Sequence, residues 1–574
     1  TLAVLIGGAD IALASAARAS LALAAALTLA LVPWAAIVLR PWPSAARRGG
    51  RTWRVYAFHL VNTALVLAFT AAKAIVLFEV PRAGLVHGDA YRTYTAAVVF
   101  LMLLGLVLRS GRVARLVALS AEHPARIMLL SFGTASVLGA LVLVLPICQR
   151  DIGNVSLLDS LFLSTSAVCV TGLSTVNVAE AYTFTGQLVL CLLMQIGGLG
   201  IMALTAAVTM LAGQRMGVKS STVLAQMVDA GSLADLKRTL RAIVLYTLAF
   251  EAAGALVLYA QFSALSEIAE TASSSAGPMA GAGSAAWAAI FHSVSAFCNG
   301  SLSNFRGGLV PFAGHAGVCQ TLALLIVLGG LGFPVIHELA QRTVSRLRGI
   351  HPRRLSLNTR VALTTSAALL GGLAVAYFVL ERGASFSGLA LVDQINAAVF
   401  QSACARTSGF NVVDVAAMRP AMLLLTCFAM FVGADPGSTA GGIKTTTLAV
   451  LFASYRGELR GQRPRLFDRT VPDAVVRRAV GVAFLGTVGI GAVVLVLSLT
   501  EPFDTLALFF EATSAFSTTG LSTGITPQLS AAGKVCILLT MLFGRIGPLT
   551  VALALSRRGP SPAIELPEER VMIG

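Results

Sequence analysis

LFLSTSAVCVTGL (Leu161 to Leu173), IFHSVSAFCNGSL (Ile290 to Leu302), VFQSACARTSGF (Val399 to Phe410) and FFEATSAFSTTGL (Phe509 to Leu521) are four copies of one pattern. Each is a short apolar run with Ser or Thr inside it. A small polar loop carrying Gly follows, then Leu or Phe. Each copy stands just before an apolar segment long enough to cross a membrane. Internal repetition fixes architecture ahead of other sequence signals. Four copies in one chain predict four walls around one axis, and hence a pore.

The composition fits a membrane setting. Hydrophobic residues make up 56% of the 574 residues and charged residues 12%, with a mean hydropathy of +0.82. Soluble domains carry about 25% charged residues, so a water-soluble protein is excluded. The formal net charge of +16 is read as arginine collected in loops on one side of a membrane, with no nucleic-acid partner. No cleavable signal peptide is expected. None of the eight cysteines forms CxxC or another metal-ligand spacing, so they are read as small apolar fillers.

Apolar runs of about 20 residues predict about eleven spans. Three lead, near Leu21–Leu39, Tyr56–Phe78 and Thr93–Leu108. Four pairs follow: Ile127–Ile147 with Gln187–Leu211, Ala242–Phe262 with Val318–His337, Val361–Leu380 with Met422–Phe452, and Val480–Leu499 with Val535–Leu555. One copy of the pattern lies inside each pair. Its apolar run is too short to cross, so it is expected to re-enter. Such backbone survives at membrane depth only against protein or a water-filled cavity. The linkers between pairs are rich in arginine, among them Arg342, Arg346, Arg348, Arg456, Arg460 and Arg463. The positive-inside rule makes them cytoplasmic, so the re-entrant loops open outward. The predicted fold is all-α and polytopic. It has extra spans in 1–125 and four span–loop–span units, at 126–220, 221–345, 346–460 and 461–574.

A desolvated monovalent cation needs several oxygens in place of its water, and four loops can supply rings of carbonyls. Turning carbonyls inward takes unusual backbone angles, which Gly adopts at little cost. Each short helix would also aim its negative end at the axis. The candidate filter residues are Val170, Thr171 and Gly172; Asn299, Gly300 and Ser301; Thr407, Ser408 and Gly409; Thr518, Thr519 and Gly520.

Here the chain resembles the Trk/Ktr/HKT superfamily of potassium and sodium transporters, in its bacterial TrkH/KtrB branch. The resemblance spans roughly Arg126 to Gly574. Besides the loops it rests on QIGGLGIM (Gln195 to Met202), LGGLGFPVI (Leu328 to Ile336), ADPGSTAGGIKTTT (Ala434 to Thr447), GLSTGITPQLS (Gly520 to Ser530), GRIGPLT (Gly544 to Thr550) and the closing PEERVMIG. It implies a pseudo-tetrameric pore of four M1–P–M2 units, a homodimer in the bacterial cell membrane and a cytosolic nucleotide-binding (RCK-type) regulatory subunit. The transported ion would be K+, with Na+ left open, and neither a covalent cofactor nor enzyme activity is implied.

The segment Gly433 to Gly442 breaks the second span of the third unit, with Asp435, Pro436, Gly437, Ser438 and Gly441 inside it and Lys444 just after. By resemblance it is a gating loop under the filter, although Asp435 departs from the small polar residue expected there. The alternative is a kinked helix, for which the run is too polar to face lipid. Gly437 and Gly442 have P-loop spacing, but Ile443 separates Gly442 from Lys444. Arg545, inside the last span, reads either as a barrier or latch beneath the filter, or as half of an ion pair with Glu251 or Asp435. Glu251, Glu511 and His292 read as packed or hydrogen-bonded groups. His337 and Glu338 open an HExxH that fails at Gln341.

The register of the second loop matters. Ala167 and Ala515 precede Gly172 and Gly520 by five residues, and the same count from Ala296 selects Ser301. Ala405 precedes Gly409 by four, which would select Gly300 instead. Ser301 is preferred. A Ser there is expected to misalign one carbonyl and admit sodium, so Ser301→Gly is expected to favour potassium. The predicted function is gated, passive uptake of potassium, with sodium permeability left open. The rivals are the ion-conducting subunit of an ATP-driven potassium pump and an intramembrane hydrolase, the latter lacking any convincing catalytic set.

Overall fold

The computed structural model describes residues 124–150, 155–200, 233–272, 282–351, 354–406 and 408–547. The three leading spans, Thr407, the stretch after Gly200 and the closing PEERVMIG lie outside the described residues. Backbone contacts divide the chain at Leu108, and everything described below belongs to the second unit.

The described chain is mostly helical. In order, the helices are α1 (Pro124–Leu143), α2 (Leu157–Cys169), α3 (Phe184–Leu199), α4 (Leu233–Ala272), α5 (Ala282–Phe297), α6 (Ala316–Gly330), α7 (Phe333–Leu347), α8 (Leu357–Glu381), α9 (Leu391–Cys404), α10 (Pro420–Phe431), α11 (Thr445–Leu459), α12 (Asp473–Thr500), α13 (Thr505–Ser517) and α14 (Ala531–Ile546). One two-residue hairpin, Arg465–Leu466 with Arg469–Thr470, interrupts the pattern. Among the described residues, three helical stretches are long and apolar enough to cross a membrane: Arg241–Leu265, Leu357–Glu381 and Asp473–Thr500. Their outward faces carry exposed Leu256, Val375, Val379, Phe484 and Leu495, as lipid-facing helices require.

Each copy of the repeated pattern forms a short helix, α2, α5, α9 or α13, and each of these is buried along most of its length. Two begin on capping side chains: Ser156 accepts from the Asp159 N–H and Asp504 from the Leu506 N–H. Serines pin three of the four to the preceding long helix. Ser164 donates to Ser136 O, Ser293 to Glu251 O and Ser402 to Leu370 O, each at 2.7 Å. The fourth copy has Ala512 at this place. The Ser in three of the four apolar runs thus satisfies itself on a helix carbonyl and fixes the depth of the short helix.

Gln187–Leu211, Val318–His337 and Val535–Leu555 are expected as unbroken spans, but their helices end at Leu199, Gly330 and Ile546, with 201–211 and 548–555 outside the described residues; in the third unit α10 ends at Phe431, just before the break expected at Gly433. Three stop at a glycine of positive φ: Gly200 (76°), Gly332 (82°) and Gly547 (92°). Side chains rarely adopt this conformation. After Gly332 the chain resumes as α7, with Pro334 in its first turn, bent by 102° from α6. Pro fits a first turn and cannot continue a helix, so a bend replaces the expected straight span. Three residues before each stop lies another glycine: Gly197, Gly329 and Gly544. A Cβ on any of them would collide with a short-helix carbonyl, that of Val168, Phe297 or Phe516 respectively. GGLG, GGLG and GRIG are therefore one structural signature, which lets the second helix touch the end of the short one.

Candidate ion pathway

Three of the four loops leave their short helix in the same way. Val170 N–H donates to Ala167 O and Thr171 N–H to Ser166 O; Asn299 to Ala296 O and Gly300 to Ser295 O; Thr518 to Ala515 O and Thr519 to Ser514 O. These paired bonds make a Schellman stop. It requires a left-handed residue, here Val170 (φ 57°), Asn299 (60°) and Thr518 (50°). Positive φ recurs two residues later, at Gly172 (95°), Ser301 (56°) and Gly520 (96°). Ser301 thus has the backbone place of the two glycines. Gly172 and Gly520 N–H bond Ser166 and Ser514 Oγ, each at 3.0 Å.

The third loop differs. It is one residue shorter, its Ala405 is right-handed, and Ser408 N–H returns to Cys404 O at 2.8 Å. Thr407 lies outside the described residues.

The four loops close a ring. A Cβ on Gly172 would stand 2.5 Å from Ser301 Cβ and 3.0 Å from Gly300 O. Ser301 Oγ lies 2.9 Å from Ser408 Oγ and accepts from Gly409 N–H at 2.5 Å. Gly409 packs on the Gly520 backbone, and Gly520 on Thr171 O and Gly172 Cα. Loop one therefore touches two, two touches three, three touches four, and four touches one. Over the ring is an open cavity of about 360 Å³ lined by Gly172, Ser301, Gly409 and Gly520 with Asn177 and Asn411.

On the other side of the ring lies the stretch between α10 and α11. Asn299 Nδ2 donates to Thr439 Oγ1 at 2.8 Å, and Gly441 packs against Thr518. The stretch also rests on the α6–α7 bend. Asp435 N–H donates to Gly330 O at 3.0 Å, Thr439 N–H to Gly329 O at 3.3 Å, and Phe333 N–H to Gly437 O at 3.1 Å. Gly437 and Gly442 have positive φ, and Gly433 and Gly442 are in contact. Pro436 O packs on Gly332, and Ser438 N–H donates to Asp435 O at 3.2 Å. Lys444 Nζ donates to Ala440 O at 2.8 Å. A helix, not a strand, precedes Gly437, so the P-loop reading fails here too.

Arg545 reaches this stretch from α14. It donates to Thr439 O and, at 2.6 Å, to Gly197 O. The ion-pair alternative is not what forms, because both bonds go to carbonyls. Glu251 instead accepts from Cys298 Sγ at 3.5 Å. Asp435 accepts from Ser366 and Thr445. Glu511 accepts from Thr526, and His292 bonds Ala288 O and Ser303 Oγ under the Phe305 ring. Glu338 caps α8 through Ser356 and Thr359. No group of three His, Cys, Asp or Glu side chains is placed for a metal ion among the described residues.

Of two further residues of this region, Thr439 was read only as one of the polar residues of the run, and Arg406 escaped the sequence reading. Thr439 is the point where the 432–444 stretch meets Asn299, Gly329 and Arg545. Arg406, which stands inside the third copy of the pattern, is buried. A charge beside a candidate cation filter was the available signal for it.

Comparison with known proteins identifies relatives over most of the chain. The family model of TrkH, cation transport protein, matches residues 92–566. The Ktr system potassium uptake protein B of Vibrio alginolyticus is 34% identical over 452 residues, 78% of this chain and 94% of that protein. Its Bacillus subtilis counterpart is 30% identical over 454 residues, 79% and 97%. The potassium/sodium uptake protein NtpJ of Enterococcus hirae is 31% identical over 463 residues, 79% and 97%. The crystal structure of the potassium transporter TrkH from Vibrio parahaemolyticus superposes with a TM-score of 0.61 at 19% identity, covering 87% of this chain and 97% of that one. This last likeness concerns the fold alone.

Proposed function

The chain belongs to the TrkH cation transport family, and from that premise we propose that it is the ion-translocating subunit of a Trk/Ktr-type potassium uptake system. The observation that carries the reading is the closed ring of four loops. Positive φ at alternate residues in three of them supports carbonyls turned to one side, as a cation filter needs. The ring is the selectivity filter, the cavity its outer vestibule, and the four units M1–P–M2 repeats following extra N-terminal spans. The 432–444 stretch is the gate, held under the ring by Arg545. Potassium is the principal ion. Sodium passage is proposed as well, in line with the potassium/sodium uptake ascribed to NtpJ. Arginine-rich linkers face the cytoplasm of a bacterial cell. A second copy and a cytosolic nucleotide-binding subunit complete the assembly, and the chain itself catalyses no covalent reaction.

The purified chain in liposomes, without ATP, should pass rubidium faster than sodium. A chain that passes neither refutes the reading, and flux that needs ATP and a second protein favours the pump. Removal of Gly437 to Gly442 should raise basal flux; unchanged flux in a folded protein would rule out a gate.

A further inference from the structure

Three loops of the ring are fixed by a Schellman stop and a left-handed pair, whereas in the third, among the described residues, neither Arg406 nor Gly409 has a positive φ. Something else has to set its position. Arg406, directly before Thr407-Ser408-Gly409, is 7% exposed. Its Nη2 donates to Ser366 Oγ on α8 at 3.0 Å and lies 3.5 Å from Gly433 O. The Ser366 hydroxyl in turn stands 3.0 Å from both Asp435 carboxylate oxygens. Asp435 also accepts from Thr445 Oγ1 in the first turn of α11. A relay therefore runs from guanidinium to hydroxyl to carboxylate to hydroxyl, linking the third loop to both ends of the 432–444 stretch.

Those two ends are tied elsewhere as well. Ile443 N–H donates to Phe431 O at 3.1 Å, and Thr445 N–H to Ala434 O at 3.2 Å. The stretch thus has a closed neck, anchored within its own repeat and by Asp435 N–H on Gly330 O. Its tip rests on other repeats through Thr439 and Gly437. A buried charge stranded without its opposite is costly, and attraction between the two is strong where water is excluded. Arg406 and Asp435 therefore hold each other in place through Ser366, and a shift of the neck is felt at the third loop.

We propose that Arg406 and Asp435 are positioning residues that couple the third filter loop to the neck of the gate, so that one buried network sets both selectivity and basal opening. This rests on the reading of the ring as a filter and the stretch as a gate. The test uses the full chain in liposomes, with rubidium and sodium fluxes for wild type, Arg406→Gln, Asp435→Asn and the double variant. Each single change should move both basal flux and the rubidium/sodium ratio, by about threefold to tenfold. The double variant should fall short of the product of the singles, since the second change finds the network already broken. Effects that multiply independently, or a changed basal flux at an unchanged ratio, overturn the coupling while leaving the transport reading intact. A wild-type chain that passes no cation overturns both. If Arg406→Gln does not fold, Ser366→Ala removes the bridging hydroxyl without stranding a charge in new surroundings. It should shift both readouts in the same direction, and a shift in neither refutes the proposal.

Discussion

Ser301 is the sharpest place to test the ring. Its backbone is left-handed at φ 56°, which costs a residue with a side chain about 1–2 kcal/mol. Its hydroxyl accepts from Gly409 N–H and pairs with Ser408 Oγ. Ser301→Ala keeps the strain and loses both bonds. A stranded N–H costs about 1–3 kcal/mol. Gly409 lines the open cavity, where water partly replaces the lost partner, so the lower part of that range, about 1–2 kcal/mol, applies. Ser301→Gly loses the same bonds but recovers about 1–2 kcal/mol of strain, for a net change near zero. The expected order of thermal inactivation in detergent puts the Ala variant below both wild type and Gly. The bond also fixes the plane of the Ser408–Gly409 peptide, and with it the Ser408 carbonyl. Both variants should therefore lower the rubidium/sodium flux ratio in liposomes. This is the opposite sign to the expectation from sequence, which counted the Ser only as a misfit. An Ala variant as stable as the Gly variant, or an unchanged ratio in both, would refute the reasoning.

Three further outcomes are expected. Arg545→Ala frees the carbonyls of Thr439 and Gly197, so basal conductance should rise severalfold with folded yield retained; loss of all folded protein would assign the arginine a purely structural role. Gly544→Ala drives a Cβ into the Phe516 backbone and should cost about 1–3 kcal/mol or more, whereas Gly491→Ala, which meets open space on α12, should stabilise by up to about 1 kcal/mol; comparative melting in detergent checks the contrast. At the rim, burial tends to raise the Asp159 pKa, but hydrogen bonds from Lys534 and Ser156 and the Lys534 charge bring it below its ordinary value. A carboxylate that titrates lower when folded stabilises above the ordinary range, near pH 4, and loses this as pH falls through the folded value. Acid inactivation of the wild type below about pH 4 should therefore be steeper than that of Asp159→Asn, and superimposable curves would dismiss the contribution.

The architecture was legible because it repeats. Four apolar runs with Ser or Thr inside them, each between membrane-length segments, leave few alternatives. Counting from Ala296 to Ser301 anticipated a backbone place that the φ angles of Gly172, Ser301 and Gly520 share. The break in the third unit was read, but the helix ends at Leu199, Gly330 and Ile546 were not, although the signal was present: LGGLGFP carries both the Gly of positive φ and the Pro of a new first turn. Hydropathy runs straight through such a break, because the residues on both sides are apolar. Arg406 was missed for a different reason. What decides its role is Ser366 and Asp435, tens of residues away in sequence, and no local pattern reports a partner brought in by tertiary packing. Arg545 was legible as a charge inside a span, read as a barrier or latch or as half of an ion pair, and only the fold shows that its partners are the carbonyls of Thr439 and Gly197.

The ring closes by joining its last segment to its first, and this bears on how the protein is made. Gly520 meets Thr171, Arg545 bonds Gly197 across 348 residues, and Lys534 pairs with Asp159 across 375. Contacts so distant in sequence form late. A nascent chain that has inserted the first three repeats still lacks one wall, and its buried loops lack partners until the fourth arrives. Synthesis that halts early therefore leaves no finished conduit, and a bilayer whose ion gradients matter is spared a leak from fragments. The continuity of one polypeptide acts as an assembly check, because the fourth of the four units is also the piece that closes the ring.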